Sequence, residues 1–164
     1  KAAVEAAYNY YGPVYMRFGR AAVPVINDTP DYKFEIGKGI TLREGKDVAL
    51  IATGLEVAYA LEAAEMLAAD GIEATVVNMH TIKPLDKELV VKVAKATNKV
   101  FTLEEHSTIG GLGSAVCEVL SEEYPTRVER MGINDTFGKS GKGAELMKYF
   151  NITSENIVDM VVNR

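Results

Sequence analysis

Residues 47–79 read DVALIATGLEVAYALEAAEMLAADGIEATVVNM, and this stretch decides the fold class. Residues 47–52 form a nearly continuous apolar run, which is typical of a strand covered on both faces. Over residues 55–69 apolar side chains recur every three or four positions, which indicates a helix. Gly71 suits the left-handed end of that helix, and a second strand follows over residues 72–79. Strand, helix and strand in this order predict a unit of a parallel sheet.

The same alternation continues toward the C-terminus, and a short strand precedes it. The predicted elements outside the central unit are a strand over 40–43, a helix capped by Asp86, a strand over 100–103, a helix opened by Gly110-Gly111-Leu112-Gly113, an edge strand over 127–131, and short helices at about 142–150 and 153–163. Helices between successive parallel strands cover both faces of a sheet. The predicted fold is therefore a three-layer α/β/α domain over residues 40–164.

The first 39 residues follow a different pattern. Residues 1–10 are helix formers, and residues 14–18 indicate a short strand. Beyond them Pro, Gly and Asn-Asp interrupt every period, and we interpret residues 21–39 as a linker. Because the chain begins at Lys1 within a helix, without an initiator Met, we expect it to be a piece of a longer protein.

Composition excludes several classes of protein. The chain has 164 residues, a net charge of −5 and 25% charged residues, which fits a globular domain and argues against nucleic-acid binding. Its apolar runs are far shorter than a membrane span, so we expect no membrane partner. Cys117 cannot form an internal disulfide, which fits a reducing, cytoplasmic setting. Two His and one Cys are too few for a structural zinc site.

Both histidines, His80 and His106, follow predicted parallel strands and should reach the same edge of the sheet. A histidine within reach of Glu104 or Glu105 could act as a general acid or base. The alternative, which we favour, is that both rings bind loop backbone or line an interface. Cys117 lies in mid-helix beside apolar residues and is expected to pack rather than react.

Three further motifs partly match sequences that bind phosphate or dinucleotides. The turn at 110–113 lacks the third glycine of a dinucleotide fingerprint, because position 116 is Val116, so a tight turn is favoured. Gly138-Lys139-Ser140 lacks the first glycine of a P-loop, because position 133 is Ile133. Arg17 and Arg20 flank a turn and could hold a phosphate, although two surface arginines are the simpler interpretation.

Four stretches in register resemble the C-terminal part of the transketolase family. The resemblance is strongest to the C-terminal subunit of split bacterial or archaeal transketolases, and the tail FGKSGKGAELM at 137–147 is similar to the family's ending. The four stretches are GPVYMRFGR at 12–20, DVALIATG at 47–54, NMHTIKPLD at 78–86 and EEHSTIGGLGS at 104–114.

The resemblance implies a division of labour between domains. In such enzymes thiamine diphosphate and Mg²⁺ lie between two other domains, so we expect this chain to bind neither. Residues 1–20 would be the tail end of the pyrimidine-binding domain, 21–39 a linker, and 40–164 the C-terminal domain that supports a homodimer. The family's sheet is mixed and five-stranded, which makes Ile40–Arg43 its antiparallel strand. The partners implied are the N-terminal and pyrimidine-binding domains, in the same chain or a separate subunit.

The resemblance also assigns expected site residues. Arg17 matches the arginine that reaches toward the substrate phosphate in transketolases and deoxyxylulose-phosphate synthases, and Arg20 is a weaker match. No catalytic, cofactor-binding or metal-binding residue is expected within this chain. The residues expected at the interface are His80, Glu105, His106, Gly110, Gly111 and Gly113.

The function implied is transfer of a two-carbon ketol unit between sugar phosphates, with this fragment inactive alone. One alternative is the same domain of 1-deoxy-D-xylulose-5-phosphate synthase or of a 2-oxo acid dehydrogenase β subunit. Another is a non-catalytic α/β module that binds a small anion.

Overall fold

The computed structural model describes residues 1–19, 22–27 and 32–163, and within them a five-stranded mixed sheet carries helices on both faces. The strands are β1 (Ile40–Arg43), β2 (Val48–Ala52), β3 (Ala74–Asn78), β4 (Val100–Ser107) and β5 (Val128–Ile133). The helices are α1 (Ala2–Asn9), α2 (Glu56–Ala69), α3 (Lys87–Thr97), α4 (Leu112–Glu123), α5 (Gly143–Tyr149) and α6 (Ser154–Val162).

The strand order is β1-β3-β2-β4-β5. β1 pairs with β3 in antiparallel orientation, and the other three pairings are parallel. The mixed sheet and its antiparallel first strand are as predicted. The order places β5 at one edge, where the polar–apolar alternation of its residues suits a half-exposed strand.

β2 shows how the apolar run produces three layers. Successive side chains of a strand point to opposite faces of the sheet. Leu50 lies in a cluster with α2 and α6, whereas Ile51 lies in a cluster with α3 and α4. Both side chains are fully buried, and each such burial stabilises the fold by roughly 1.5–3 kcal/mol.

Two helix ends follow directly from local sequence. α2 ends where Gly71 adopts a φ of +80°, a left-handed conformation that glycine reaches at little cost. α3 begins at Asp86, whose side chain accepts a hydrogen bond from the Leu89 amide at 3.1 Å. The same carboxylate accepts the Gly39 amide at 3.0 Å and so fastens the end of the 32–39 segment to the domain.

The N-terminal segment differs from its prediction in one respect. α1 forms as expected, but residues 14–18 are irregular, so the predicted strand there is wrong. A strand needs a neighbour to receive its backbone hydrogen bonds, and no described residue supplies one. No described residue before Gly19 is buried, and the aromatic side chains of Tyr8, Tyr11 and Tyr15 are at least 89% exposed.

Candidate functional site

The carboxyl ends of the four parallel strands meet at one edge of the sheet. In such sheets, binding residues collect at this edge. The structure brings to it His80 after β3, Glu105 and His106 in β4, and the glycine turn before α4. The topology therefore collects here the residues that the sequence predicted for an interface.

Glu104 is buried near the end of β4 and fastens the start of α4. Its two carboxylate oxygens accept the amide hydrogens of Leu112 and Gly113, each at 2.8 Å. A carboxylate at a helix N-terminus satisfies amides that otherwise lack partners and interacts favourably with the helix dipole. The role of Glu104 is thus to join β4 to α4, rather than to pair with a histidine.

The glycines before and within α4 allow this close approach. A Cβ at Gly111 would overlap the Glu104 carboxylate, and one at Gly113 would lie 2.7 Å from Thr102 Oγ1. Gly110 has a φ of +77°, which favours glycine on conformational grounds. These contacts account for the Gly-Gly-Leu-Gly sequence without a nucleotide and agree with the tight-turn interpretation.

His80 is half-buried next to the segment that precedes β1. Its Nδ1 lies 3.0 Å from Thr81 Oγ1, and its ring centroid lies 4.3 Å from that of Phe34. Nε2 is buried and has no hydrogen-bond partner among the described residues. Burial lowers the pKa of the His80 imidazole, so the ring is neutral at pH 7.

His106 occupies a different setting on the same edge. It is exposed and helps to line a pocket of about 270 Å³ together with Ser107, Ile133, Asp135 and Thr136. Across residues 32–163, neither histidine hydrogen-bonds to Glu104 or Glu105. The acid–base pairing considered from the sequence is therefore not formed in this structure.

Arg17 lies in the irregular segment after α1 and is exposed. It forms no ion pair with the part of the chain that the structure describes. Arg20 lies outside the described residues. Phosphate binding by these two arginines stays a prediction.

Glu56, the first residue of α2, is a site residue that sequence reasoning missed. It is fully buried, and neither carboxylate oxygen has a hydrogen-bond partner within the described ranges. Desolvation, and secondarily the charge of Glu105, raises the pKa of Glu56 to about 8. An acidic residue in the first turn of a helix is ordinarily favourable and exposed, so no sequence signal distinguishes this one.

Comparison with known proteins identifies the domain. The family profile described as Transketolase, C-terminal domain matches residues 37–157. The chain belongs to this family. The transketolase C-terminal domain accounts for the mixed sheet, its antiparallel first strand and the helices on both faces.

Relatives of this transketolase domain include longer proteins. A Methanocaldococcus jannaschii protein named as a transketolase C-terminal section is 46% identical over 93% of this chain and 48% of its own length. A 1-deoxy-D-xylulose-5-phosphate synthase of Heliobacterium modesticaldum is 41% identical over 92% of this chain and 24% of its own length. The chain thus spans half or less of these two relatives.

A solved structure extends the similarity to the N-terminal segment. The structure described as "Split gene transketolase, inactive beta4 tetramer" superposes with a TM-score of 0.94 and 51% identity. It covers 99% of this chain, which makes up 53% of that chain's length. The similarity therefore includes α1 and the residues that follow it.

Transketolases use thiamine diphosphate with a divalent metal, and the described side chains of this domain do not group as ligands for such a metal. Within the described residues, no three His, Cys, Asp or Glu side chains converge as a metal site. The buried carboxylate of Glu104 is already occupied by two backbone amides.

No described helix has the length and apolar character to cross a membrane.

Proposed function

We propose that this chain is the C-terminal, dimer-supporting part of a thiamine-diphosphate-dependent transketolase, whose other domains hold the coenzyme. The enzyme would transfer a two-carbon ketol unit between sugar phosphates. In this assignment residues 1–20 belong to the pyrimidine-binding domain, 21–39 form the linker, and 40–164 form the C-terminal domain. The exposed apolar surface of the N-terminal segment is the observation that carries the proposal.

That surface is unusual for a segment attached to a well-packed domain. Large side chains of residues 1–19 lie in water, and extended exposed apolar surface marks an interaction site. The exposed set comprises Val4, Tyr8, Tyr10, Tyr11, Val14, Tyr15, Met16 and Phe18. Val14, Met16 and Phe18 also alternate with Tyr15 and Arg17, so exposed apolar side chains recur at every second position of this irregular segment. The proposal supplies the surface that covers them from the pyrimidine-binding domain.

Within the assembled enzyme this chain would have two tasks. Arg17 would hold the phosphate of the sugar, because a guanidinium can bind a phosphate through two parallel hydrogen bonds. The strand-end edge would contact the second subunit through His80, Glu105, His106 and the turn carrying Gly110, Gly111 and Gly113. The coenzyme, when bound by the other domains, supplies the electron sink for the carbon–carbon chemistry.

The test is to assay ketol transfer by the chain alone and by the chain assembled with both the pyrimidine-binding and the N-terminal domains. We expect activity only in the assembly. Arg17→Ala should raise the KM for phosphorylated sugars about tenfold or more, because a charge-assisted bidentate contact is lost. An unphosphorylated acceptor should be affected far less. Arg127→Ala removes an exposed arginine that pairs with Glu129 and is the matched control.

Two results would contradict the proposal. One is turnover of ketose phosphates by the chain alone, or micromolar binding of thiamine diphosphate and Mg²⁺ to it in calorimetry. The other is a KM for phosphorylated sugars that Arg17→Ala leaves unchanged in the assembly.

The second candidate is the same domain of a 1-deoxy-D-xylulose-5-phosphate synthase, favoured by the 41% identity to such an enzyme. The assembled protein distinguishes the two by its donor substrate. A synthase consumes pyruvate and releases carbon dioxide, whereas a transketolase consumes a ketose phosphate and releases an aldose.

A further inference from the structure

Two glutamates are buried near the strand-end edge, and only one has hydrogen-bond partners. Glu104 is 2% exposed and accepts two backbone amides at the start of α4. Glu56 is 0% exposed at the start of α2, and both of its carboxylate oxygens lack a partner in the described part of the chain. Both carboxyls are therefore buried beside the start of a helix, Glu104 from a strand and Glu56 from the helix itself, but they differ in their hydrogen-bond partners.

The backbone amides in the first turn of α2 do not donate hydrogen bonds to the Glu56 carboxyl group. The amides of Val57 and Ala58 donate to the carbonyl oxygens of Gly54 and Leu55 at 3.3 and 3.1 Å. These are the amides that a carboxylate at the helix start would otherwise accept. An ionised Glu56 would thus be a buried charge without a donor, which costs several kcal/mol unless the group is neutral.

The charged groups around Glu56 are also unfavourable to ionisation. β4 contributes Glu105, whose charge acts directly on Glu56. α2 itself contributes Tyr59 and Glu62, and α6 contributes Glu155. Burial, and then the charges of these two glutamates together with those of Glu56 and Glu105, raise the pKa of Tyr59. β2 and β3 carry no titratable side chain, and Lys148 acts on Glu155. The charge that acts directly on Glu56 is therefore that of another acid, Glu105.

We propose that the Glu56 carboxyl is a built-in pH switch, protonated while α2 lies docked on the sheet, and that loss of its proton opposite Glu105 releases the first turn of α2 from the ends of β2 and β4. The proton passes to solvent and leaves a buried negative charge within reach of the charge of Glu105. The switch rests on contacts within this chain and is independent of the coenzyme and of the proposed enzyme.

The direction of the pH effect follows from the two states of the chain. Burial and Glu105 raise the pKa of Glu56 from 4.5 to about 8 in the folded chain. At pH 7 about one Glu56 in ten is ionised in the folded state, whereas nearly all are ionised in the unfolded state. The folded state therefore binds the extra proton. The contribution of Glu56 to the free energy of unfolding falls as pH rises from about 4.5 to about 8, and then levels off.

The decisive experiment is a carbon-13 NMR titration of glutamate side-chain carboxyls in the full chain, with Glu56 assigned by its absence from the Glu56→Gln spectrum. We expect Glu56 to titrate near pH 8, with amide signals of residues 56–59 and 105–106 changing over the same interval. Glu105→Gln should lower the midpoint. Glu65→Gln, on the exposed face of α2, should leave it unchanged.

A midpoint near the ordinary value of 4.5 would overturn the proposal. So would a midpoint near 8 without any change in those amide signals, or a midpoint that Glu105→Gln does not move. As a second readout, urea unfolding should show wild type losing stability relative to Glu56→Gln as pH rises toward 8, and a constant difference would also overturn it. If Glu56→Gln fails to fold, through-bond correlation of its side chain to its own backbone amide assigns Glu56, and the wild-type titration with the other two variants still decides the question.

Discussion

At the scale of single residues, Glu104 shows how a buried carboxyl group becomes part of the architecture. Its carboxylate bridges β4 to α4 through two amides, so the strand end and the helix start are positioned together. Glu56 occupies a similar place at α2 without such amides. The contrast shows that hydrogen-bond partners, rather than burial alone, distinguish the two buried carboxyl groups.

Replacing Glu104 tests this bridge. Glu104→Gln puts an NH₂ group where one amide now requires an acceptor, so we expect the free energy of unfolding to fall by about 1.5–3 kcal/mol. The measurement is urea unfolding at pH 7. Glu118→Gln, on the exposed face of α4, is the control and should lie within about 0.5 kcal/mol of wild type. If the two variants are equally stable, the hydrogen bonds of Glu104 do not contribute to holding β4 and α4 together.

At the scale of elements, strands and helices were predictable where local pattern and environment agree. Residues 48–52 are apolar without interruption because β2 lies between two strands and has a layer of helices on each face. Residues 14–18 also read as a strand, wrongly, because alternation specifies a face but not a neighbour to pair with. A sequence pattern thus predicts an element only when the rest of the fold supplies its hydrogen bonds.

For the candidate site, the sequence predicts which residues lie at the edge of the sheet but not which of them are buried. Parallel topology alone predicts that His80, Glu105 and His106 lie at one edge of the sheet. It could not show the burial of Glu56, because that depends on β4 packing beside the start of α2, a contact between segments distant in sequence. Which carboxyl finds an amide is likewise set by the path of the glycine turn, not by the residue type.

The glycine turn can be tested as an element. Gly113→Ala would bring its Cβ to 2.7 Å from Thr102 Oγ1 and 2.8 Å from Arg130 Cδ, so α4 must shift. We expect the free energy of unfolding to fall by about 1–3 kcal/mol, although alanine alone favours a helix by about 1 kcal/mol. Gly138→Ala is the matched control, because its Cβ would meet no atom within 4 Å. Thermal unfolding of both variants is the measurement, and a stabilised Gly113→Ala would disprove the packing argument.

At the scale of the whole molecule, stability and association belong to different parts of the chain. The buried core lies between Val48 and Val161, whereas no described residue of 1–19 is buried. Burial of apolar surface is the main favourable term in folding, so a segment without a fully buried residue adds little to it. The N-terminal segment is therefore better explained by contacts with another domain or subunit than by the stability of this one.

Deleting residues 1–19 tests that separation. We expect the Tm to change by less than about 2 °C, because the core clusters are untouched and surface changes rarely exceed about 0.5 kcal/mol. Self-association should weaken, since Tyr8, Tyr11, Tyr15 and Phe18 are removed from water-exposed positions. Differential scanning calorimetry and sedimentation velocity measure the two quantities on the same samples. A control chain with all four aromatic residues changed to Ser, but otherwise full length, should reproduce the loss of association. A large fall in Tm on deletion would instead make the segment part of the domain's own fold.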